Sequence, residues 1–221
     1  MKAIIYDKNI PGKLELREAE KPVPGKGEVL VRVRAVSVNA ADYRSMKLGI
    51  VPKRHIYGAD IAGTVVEIGE GVSKFVVGDA VIGDNALYGF GGFAEYTTAP
   101  EALLAKKPEN VSFEAAATVS LAGVTALQGL RLYGKDLTGK RFLVLGAGGA
   151  SRSVLSYLAS KGADVDITNR TMGKAESLAK AFGVEAVAAR VAEEKQYDII
   201  VNCTPLGMKG FPQEMSISPH V

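Results

Sequence analysis

One cysteine, two histidines and no tryptophan occur among the 221 residues of this chain. The lone cysteine, Cys203, excludes an internal disulfide framework and any structural zinc site built from several cysteines. The two histidines, His55 and His220, are too few and too far apart to suggest a metal site, so each is interpreted as a surface or loop residue. We therefore predict that the protein holds no metal.

A strong excess of one charge and long hydrophobic runs are also missing. The formal net charge is +3, divided as +1 for residues 1–138 and +2 for residues 139–221, so neither half is a basic module for nucleic acid. No apolar run approaches the roughly 18–20 residues of a membrane span. The first ten residues are charged and lack the apolar core of a signal peptide. These absences predict a soluble cytoplasmic protein that binds neither nucleic acid nor membranes.

The apolar pattern predicts an α/β protein in three parts. Residues 1–110 contain many short strands punctuated by glycine, which is typical of a β-barrel or sandwich. Residues 111–138 are predicted to hold one linking helix over Ser112–Tyr133, which is rich in Ala and Leu at helical spacing. Residues 139–221 alternate strands with amphipathic helices and so predict βαβ units with a parallel sheet. This part holds one βαβαβ half and a fourth strand, a truncated Rossmann-like domain.

The strongest chemical signal is a glycine-rich turn between a predicted strand and a predicted helix. Gly146 permits the tight turn, Gly148 lets the backbone approach a pyrophosphate, and Ser151 is small enough for the helix to pack on the strand. Gly149 and Ala150 complete the turn, where the start of the helix offers N–H groups to phosphates. The alternative is an ordinary glycine-rich turn.

The end of the next strand indicates which nucleotide binds. NAD-binding sites place Asp or Glu there against the ribose 2′-hydroxyl, whereas this chain has Asn169, Arg170 and Thr171, followed by Lys174. Arg170 and Lys174 can pair with a 2′-phosphate, which a carboxylate would repel. Asp166 faces away from this end if the strand alternates. The pattern favours NADP(H), and the alternative is a solvated basic helix start.

Several segments of residues 1–138 resemble the GroES-like catalytic domain of the zinc-independent, medium-chain quinone oxidoreductases. The matching segments are Val38–Arg44, Tyr57–Gly63, Val72–Asp79, Gly91–Tyr96 and Leu121–Ala126. Medium-chain alcohol dehydrogenases with zinc have a His-Glu pair after the glycine at position 58, where this chain has Ala59 and Asp60. The resemblance therefore implies a GroES-like fold and hydride transfer without metal.

This resemblance also implies roles for four residues. Asn39, Asp42 and Tyr43 are expected to line the substrate cleft and to orient substrate and nicotinamide, and Thr125 is expected to contact the nicotinamide. Considered as residue types alone, they leave alternatives open. Asn39 or Asp42 can cap a helix, Tyr43 can pack in the core, and Thr125 can be a packing hydroxyl.

Residues 139–221 resemble a different family, the NADP-binding domain of shikimate dehydrogenase. The matching segments are Gly146–Arg152, Asn169–Thr171 with Lys174, and Asp198–Met208. The resemblance implies that Asn169, Arg170, Thr171 and Lys174 form the clamp for the adenosine phosphate. It also implies that the residues from Thr204 to Met208 form the loop beside the nicotinamide.

Two families in one chain suggest a recombined or engineered chimera. Our first functional hypothesis is an NADPH-dependent, metal-independent oxidoreductase that transfers hydride to a small molecule, either a quinone or an activated alkene or carbonyl compound. The second is a chimera that folds and binds NADP(H) without turnover. The third is an oxidoreductase of the shikimate dehydrogenase type, which needs a catalytic Lys–Asp pair that residues 1–138 do not show in the expected motif.

The expected strand order, 3-2-1-4, leaves the strand Asp198–Cys203 at an edge of the sheet. Apolar edges tend to pair, so we predict that the tail Gly210–Val221 or a second copy of the chain covers it, the latter giving a homodimer. Cys203 lies in this strand with no histidine nearby in sequence. It is interpreted as a buried structural thiol rather than a nucleophile.

Overall fold

The computed structural model describes residues 1–10, 12–133 and 136–207. The chain divides into two compact units, Met1–Leu121 and Ala122–Val221. The functional domain limits predicted above, 1–110, 111–138 and 139–221, stay a prediction. Within the described ranges, no helix combines the length and the apolar character needed to cross a bilayer.

The first unit contains two antiparallel sheets. In the smaller one, β1 (Lys2–Tyr6) pairs with β2 (Leu14–Glu18). The larger sheet contains β3 (Glu28–Val36), β4 (Asp60–Ile68), β5 (Ala80–Asp84), β6 (Tyr96–Pro100) and β7 (Leu104–Lys106). Its strand order is β6-β3-β4-β5-β7. The many short strands predicted for the first part of the chain are confirmed, and short helices lie between some of them.

Strand β3 shows why these residues form a half-buried sheet. At the start of the strand Val29, Leu30 and Val31 are all fully buried. Beyond them Val33 and Ala35 are half-buried whereas Arg32 and Arg34 are exposed, because successive side chains of a strand point to opposite faces. The buried valines pack with residues of the neighbouring strands, Ile61 among them. Two register shifts interrupt the pairing of β3 with β4. Beyond β3, the chain turns into helix α1 (Ala40–Lys47).

The prediction of a single linking helix is wrong. The chain forms two helices, α2 (Phe113–Ala116) and α3 (Ser120–Tyr133). The N–H groups of residues 118 and 119 bond to carbonyls three residues back, which tightens the turn and ends α2. The N–H of Leu121 then donates to the Asp60 carboxylate at 2.7 Å. A partner from a strand far away in sequence thus helps to start α3, and helical periodicity cannot reveal such a partner.

The second unit alternates strands and helices as predicted. Its elements are β8 (Arg141–Leu145), α4 (Gly149–Ser160), β9 (Asp164–Thr168), α5 (Met172–Phe182), β10 (Glu185–Ala186), α6 (Ala189–Glu194) and β11 (Ile199–Asn202). All pairings are parallel, and the order β10-β9-β8-β11 confirms the predicted 3-2-1-4 arrangement. Helix α6 was not predicted, because six residues are too few to show a clear helical period.

Helix α4 packs on the sheet through one apolar stripe. Val154, Leu155 and Leu158 follow helical spacing and are buried together with Phe142 of β8 and Ile167 of β9. This packing holds the start of α4 close to the end of β8. The glycine-rich turn between them is therefore supported by a rigid core.

Three strands of this unit end at the same edge of the sheet. Leu145 of β8 pairs with Thr168 of β9 and with Asn202 of β11. The N–H of Gly146 donates to the Thr168 carbonyl at 2.8 Å, and the N–H of Cys203 donates to the Leu145 carbonyl at 2.9 Å. The three loops after these strands start side by side, at the position where open α/β sheets bind ligands.

Strand β11 is an edge strand within the part of the chain that the structure describes, since its only partner there is β8. The tail Gly210–Val221, one of the two predicted covers, lies outside the described residues. Pairing with a second copy, the other predicted cover, stays a prediction.

Candidate functional site

The glycine-rich turn has the backbone geometry that its sequence predicted. Gly146 has a φ of +98°, in the region that favours glycine, and a Cβ there would lie 2.8 Å from Cγ2 of Thr204. Ser151 is fully buried, and its Oγ donates to the Gly146 carbonyl at 2.7 Å and accepts from the Gly148 N–H at 3.2 Å. The predicted third position of the motif therefore braces the turn as well as allowing close packing.

The beginning of α4 is open in a way that fits a pyrophosphate. Gly148 is the N-cap residue of this 12-residue helix. A Cβ at Gly148 or Gly149 would meet no atom within 4 Å, and both glycines are exposed, while Ala150 is half-buried. The first N–H groups of a helix have no partner within it. This site therefore offers hydrogen-bond donors and a positive dipole end where no side chain fills the space.

The residues after β9 form a turn that leads into α5. Nδ2 of Asn169 donates to the carbonyl of Thr171 at 2.9 Å, and Thr171 is the N-cap residue of α5. Arg170 and Lys174 are both exposed, so their charged groups are accessible to a ligand. The structure thus brings two cations to the start of α5, one helical turn apart.

Asp166, inside β9, is committed to other partners. It is buried, and its Oδ2 accepts from Lys195 Nζ at 2.9 Å and from the Tyr197 hydroxyl at 2.6 Å. The hydrogen bond to Asp166 raises the pKa of Lys195, and burial raises the pKa of Tyr197. The segment Asn169–Thr171 contains no carboxylate that would repel a 2′-phosphate.

The loop after β11 is organised by Asn202, a residue that the sequence reasoning did not single out. Its Oδ1 accepts from the Thr204 N–H at 2.9 Å and from Thr204 Oγ1 at 2.6 Å, and its Nδ2 donates to the Leu206 carbonyl at 3.0 Å. An Asn at a strand end that binds backbone two residues later is a recognisable turn signal. Thr204 is half-buried. Met208, the other predicted residue of this loop, lies outside the described residues.

Two further residues of this unit were considered in the sequence. Thr125 lies on α3 and is exposed, so its hydroxyl is not the packing group that the alternative proposed. Cys203 is half-buried directly after β11, and burial raises the pKa of its thiol, an effect that the nearby Ser151 hydroxyl partly offsets. A raised pKa disfavours the reactive thiolate, in agreement with a structural role.

In the first unit, Asp42 binds backbone N–H groups with both carboxylate oxygens. Oδ2 accepts from the Asn39 N–H at 2.7 Å, and Oδ1 accepts from the N–H groups of Gly58 and Ala59 at 3.0 Å each. Asp42 is 2% exposed, and burial raises its pKa, although these hydrogen bonds oppose the rise. Asn39 is the N-cap residue of α1. The helix-capping interpretation of Asp42 describes its bond from Asn39, while its bonds from Gly58 and Ala59 connect α1 to the residues just before β4.

Tyr43 follows Asp42 on α1 but points away from the core. It is 54% exposed. The alternative that it packs in the core is therefore wrong, and its ring and hydroxyl are accessible.

Asp60 is the residue of this site that the sequence reasoning undervalued. It is fully buried, and its Oδ2 accepts from Asn39 Nδ2 at 3.0 Å and from Ser37 Oγ at 2.9 Å, while its Oδ1 binds the Leu121 N–H. Burial raises its pKa, the hydrogen bonds oppose this, and nearby Asp84 adds to the rise. A carboxylate inside an apolar, buried strand was the signal available in the sequence.

The absence of metal stays a prediction. Over the described ranges, no group of three or more His, Cys, Asp or Glu side chains is placed to hold a metal ion. His55 is half-buried in the short turn Lys53–His55, and His220 lies outside those ranges.

Comparison with known families assigns the two halves differently. The model for the alcohol dehydrogenase GroES-like domain matches residues 25–109, and the model for shikimate / quinate 5-dehydrogenase matches residues 130–208. Two separate matches agree with the hypothesis of a recombined chain.

Individual relatives extend across the junction between these matches. The chain is 31% identical to the chloroplastic quinone-oxidoreductase QR1 of Triphysaria versicolor, over 98% of this chain and 72% of that protein. It is 33% identical to the chloroplast envelope quinone oxidoreductase homolog of Arabidopsis thaliana, over 92% of this chain and 68% of that protein. A mycobacterial protein solved in complex with NADPH is 32% identical, with a TM-score of 0.71, over 86% of this chain and 59% of that one. The chain thus spans only part of the length of each.

Proposed function

The chain belongs to the quinone oxidoreductase family, and on that basis we propose that it is an NADPH-dependent, metal-independent reductase that transfers hydride to a quinone or to an activated alkene or carbonyl compound. Family membership makes it an oxidoreductase that uses a nicotinamide cofactor. The preference for NADPH, the nature of the acceptor and the roles of individual residues are the proposal.

The open backbone at Gly148 and Gly149 is the observation that carries the proposal. A pyrophosphate can approach the first N–H groups of α4 there, because no side chain occupies the space. Arg170 and Lys174 are accessible beside the next strand end and suit a 2′-phosphate. In this proposal Asn169 and Thr171 shape the clamp, and Ser151 and Ala150 complete the phosphate turn.

When bound, the cofactor supplies the hydride. The first unit offers Asn39 and Tyr43 as residues that contact and orient the substrate and the nicotinamide. Asp42, whose carboxylate oxygens bind backbone N–H groups, is a positioning residue for α1. Thr125, Thr204 and Met208 are the proposed neighbours of the nicotinamide.

The first experiment measures binding apart from turnover. We expect isothermal titration to show tighter binding of NADPH than of NADH. Arg170→Asp should weaken NADPH binding by roughly 10–100-fold, the value of a charge-assisted hydrogen bond, and should affect NADH far less. Lys180→Asp is the matched control, since Lys180 is also exposed but lies about 9 Å farther along α5 than Lys174. Equal losses for both cofactors would contradict the 2′-phosphate clamp.

The second experiment measures NADPH oxidation with 1,4-naphthoquinone as acceptor. We expect the wild type to oxidise NADPH with this quinone. In Asn39→Ala and in Tyr43→Phe, the rate should fall by at least tenfold or to zero. NADPH binding without quinone turnover would support the alternative of a chimera that binds the cofactor but is inactive. Reduction of NADP by shikimate above background would instead favour the shikimate dehydrogenase type.

A further inference from the structure

The side-chain amide of Asn39 has both of its hydrogens engaged inside the protein. Nδ2 donates to Ser37 Oγ at 2.9 Å and to Asp60 Oδ2 at 3.0 Å. Ser37 Oγ itself donates to Asp60 Oδ2 at 2.9 Å, which closes a ring of three hydrogen bonds. The hydrogen-bonding capacity that remains on this side chain is at Oδ1, the acceptor that also belongs to the capping box at the start of α1.

The Asp60 carboxylate accounts for this orientation. An ionised carboxylate has only acceptors, so the neighbouring amide must turn its NH₂ group toward it. If the amide were turned over, Oδ1 of Asn39 would face Oδ2 of Asp60, and two acceptors would meet in a fully buried place. Asp60 is itself held, because its other oxygen accepts from the backbone N–H of Leu121 at 2.7 Å.

We propose that Asp60 is a positioning residue that makes Asn39 a hydrogen-bond acceptor toward its ligand. Asn39 then selects ligands with a hydroxyl or N–H donor at this point, rather than a carbonyl oxygen. This rests on the proposed function in one respect, namely that Asn39 contacts a ligand of the reaction.

The consequence is a division of roles among the three predicted catalytic residues. Asp42 has both oxygens bound to backbone N–H groups, and Asn39 has no amide hydrogen left to donate. Tyr43 is exposed and keeps a hydroxyl that can donate to an acceptor oxygen. Charge that develops on oxygen during reduction needs such donors. Of the three, Tyr43 is therefore the group suited to that charge, and Asn39 is suited to a donor group of the ligand.

The test inverts the amide without removing it. In Asp60→Asn, the amide oxygen of the substituted side chain can still accept from the Leu121 N–H. Its NH₂ group then takes the place of Asp60 Oδ2, opposite the amide of Asn39. Asn39 should then turn over, expose its NH₂ group and lose its acceptor. The double variant Asp60→Asn with Asn39→Asp restores an acceptor at position 39.

The readout is NMR of the Asn39 side-chain NH₂ signals, assigned through their loss in Asn39→Ala. We expect exchange of these hydrogens with water to be at least tenfold faster in Asp60→Asn than in the wild type. Asp166→Asn, which removes the charge of another buried aspartate, should leave the signals unchanged. If Asp60→Asn does not fold, Ser37→Ala should expose one of the two hydrogens and leave the other protected.

Ligand binding gives a second readout. The probe is resorcinol, which has two hydroxyl donors, and the control compound is 1,3-dimethoxybenzene, which has a similar shape but no hydrogen-bond donor. Asp60→Asn should weaken resorcinol binding by about tenfold, the double variant should restore it, and binding of the dimethoxy compound should not fall. Protected Asn39 signals in Asp60→Asn, or equal losses for both compounds, would overturn the positioning role. If these tests succeed while the wild type reduces no quinone, the proposed function fails and the positioning role stands. If the wild type reduces quinone but these tests fail, only the positioning role is refuted.

Discussion

Replacement of single glycines in the glycine-rich turn separates its role in folding from its proposed role in binding NADPH. Gly148 has an extended backbone, with a φ of −97°, and its added Cβ would meet no atom within 4 Å. Alanine there should cost only about 0.5 kcal/mol of unfolding free energy through the weaker N-cap preference. Its methyl group would occupy the space proposed for the pyrophosphate, however, so we expect NADPH binding to weaken by roughly 10–100-fold as charge-assisted hydrogen bonds are lost.

Gly146→Ala should behave in the opposite way. A left-handed backbone costs an alanine about 1–2 kcal/mol. The new Cβ, 2.8 Å from Cγ2 of Thr204, must also push that side chain aside, at about 1–3 kcal/mol for overpacking. The expected loss of unfolding free energy is therefore about 2–5 kcal/mol.

Urea unfolding followed by far-UV circular dichroism, together with NADPH titration, checks both variants. Gly129→Ala on α3 is the control, because its Cβ would lie in open space and alanine should stabilise the helix by up to about 1 kcal/mol. The reasoning is refuted if Gly148→Ala binds NADPH as the wild type does. It is also refuted if Gly148→Ala destabilises the protein as much as Gly146→Ala.

Three further predictions concern stability and assembly. Tyr57→Phe loses the hydrogen bond to the Ile50 carbonyl, so at pH 7 it should be about 1 kcal/mol less stable than the wild type in urea unfolding. Burial raises the pKa of Tyr57 to about 12, so the native state favours its neutral form. The wild type should therefore lose about 2 kcal/mol of unfolding free energy between pH 10 and 12, a loss that the variant does not share. A difference in stability that stays constant over this pH range would contradict the prediction. Ser151→Ala should lower the unfolding free energy by about 1–3 kcal/mol, since two hydrogen bonds brace the turn, and an unchanged urea midpoint would argue against that bracing. If a second copy rather than the tail Gly210–Val221 covers β11, sedimentation velocity should detect a dimer, and a monodisperse monomer at all concentrations would exclude that pairing.

Local patterns were sufficient where each element depends on its own residues. The alternation in β3 and the strand–helix alternation after residue 139 predicted the architecture, because burial of one face follows from periods of 2 and 3.6 residues. The glycine-rich turn was predictable for the same reason, since the φ of Gly146 is a requirement on a single residue.

Patterns failed where a distant partner decides the outcome. The break between α2 and α3 coincides with a hydrogen bond from Leu121 to Asp60, separated by 61 positions. The same carboxylate accepts a hydrogen bond from the amide of Asn39. An aspartate inside an apolar strand was a signal in the sequence, but only the folded structure shows these partners. Asn202 was passed over for a different reason, because its turn signal is local but weak beside the glycine motif.

The sequence by itself determined the two kinds of architecture, the parallel order of the second sheet and the glycine-rich turn with its cationic neighbours. Each follows from residue types and spacings within short segments. Only the tertiary structure decided which polar groups remain available to a ligand. It enclosed Asp42 and Asp60, exposed Tyr43, and left Asn39 with only its Oδ1 available, because hydrogen-bond donors and acceptors are used up by partners that folding brings together.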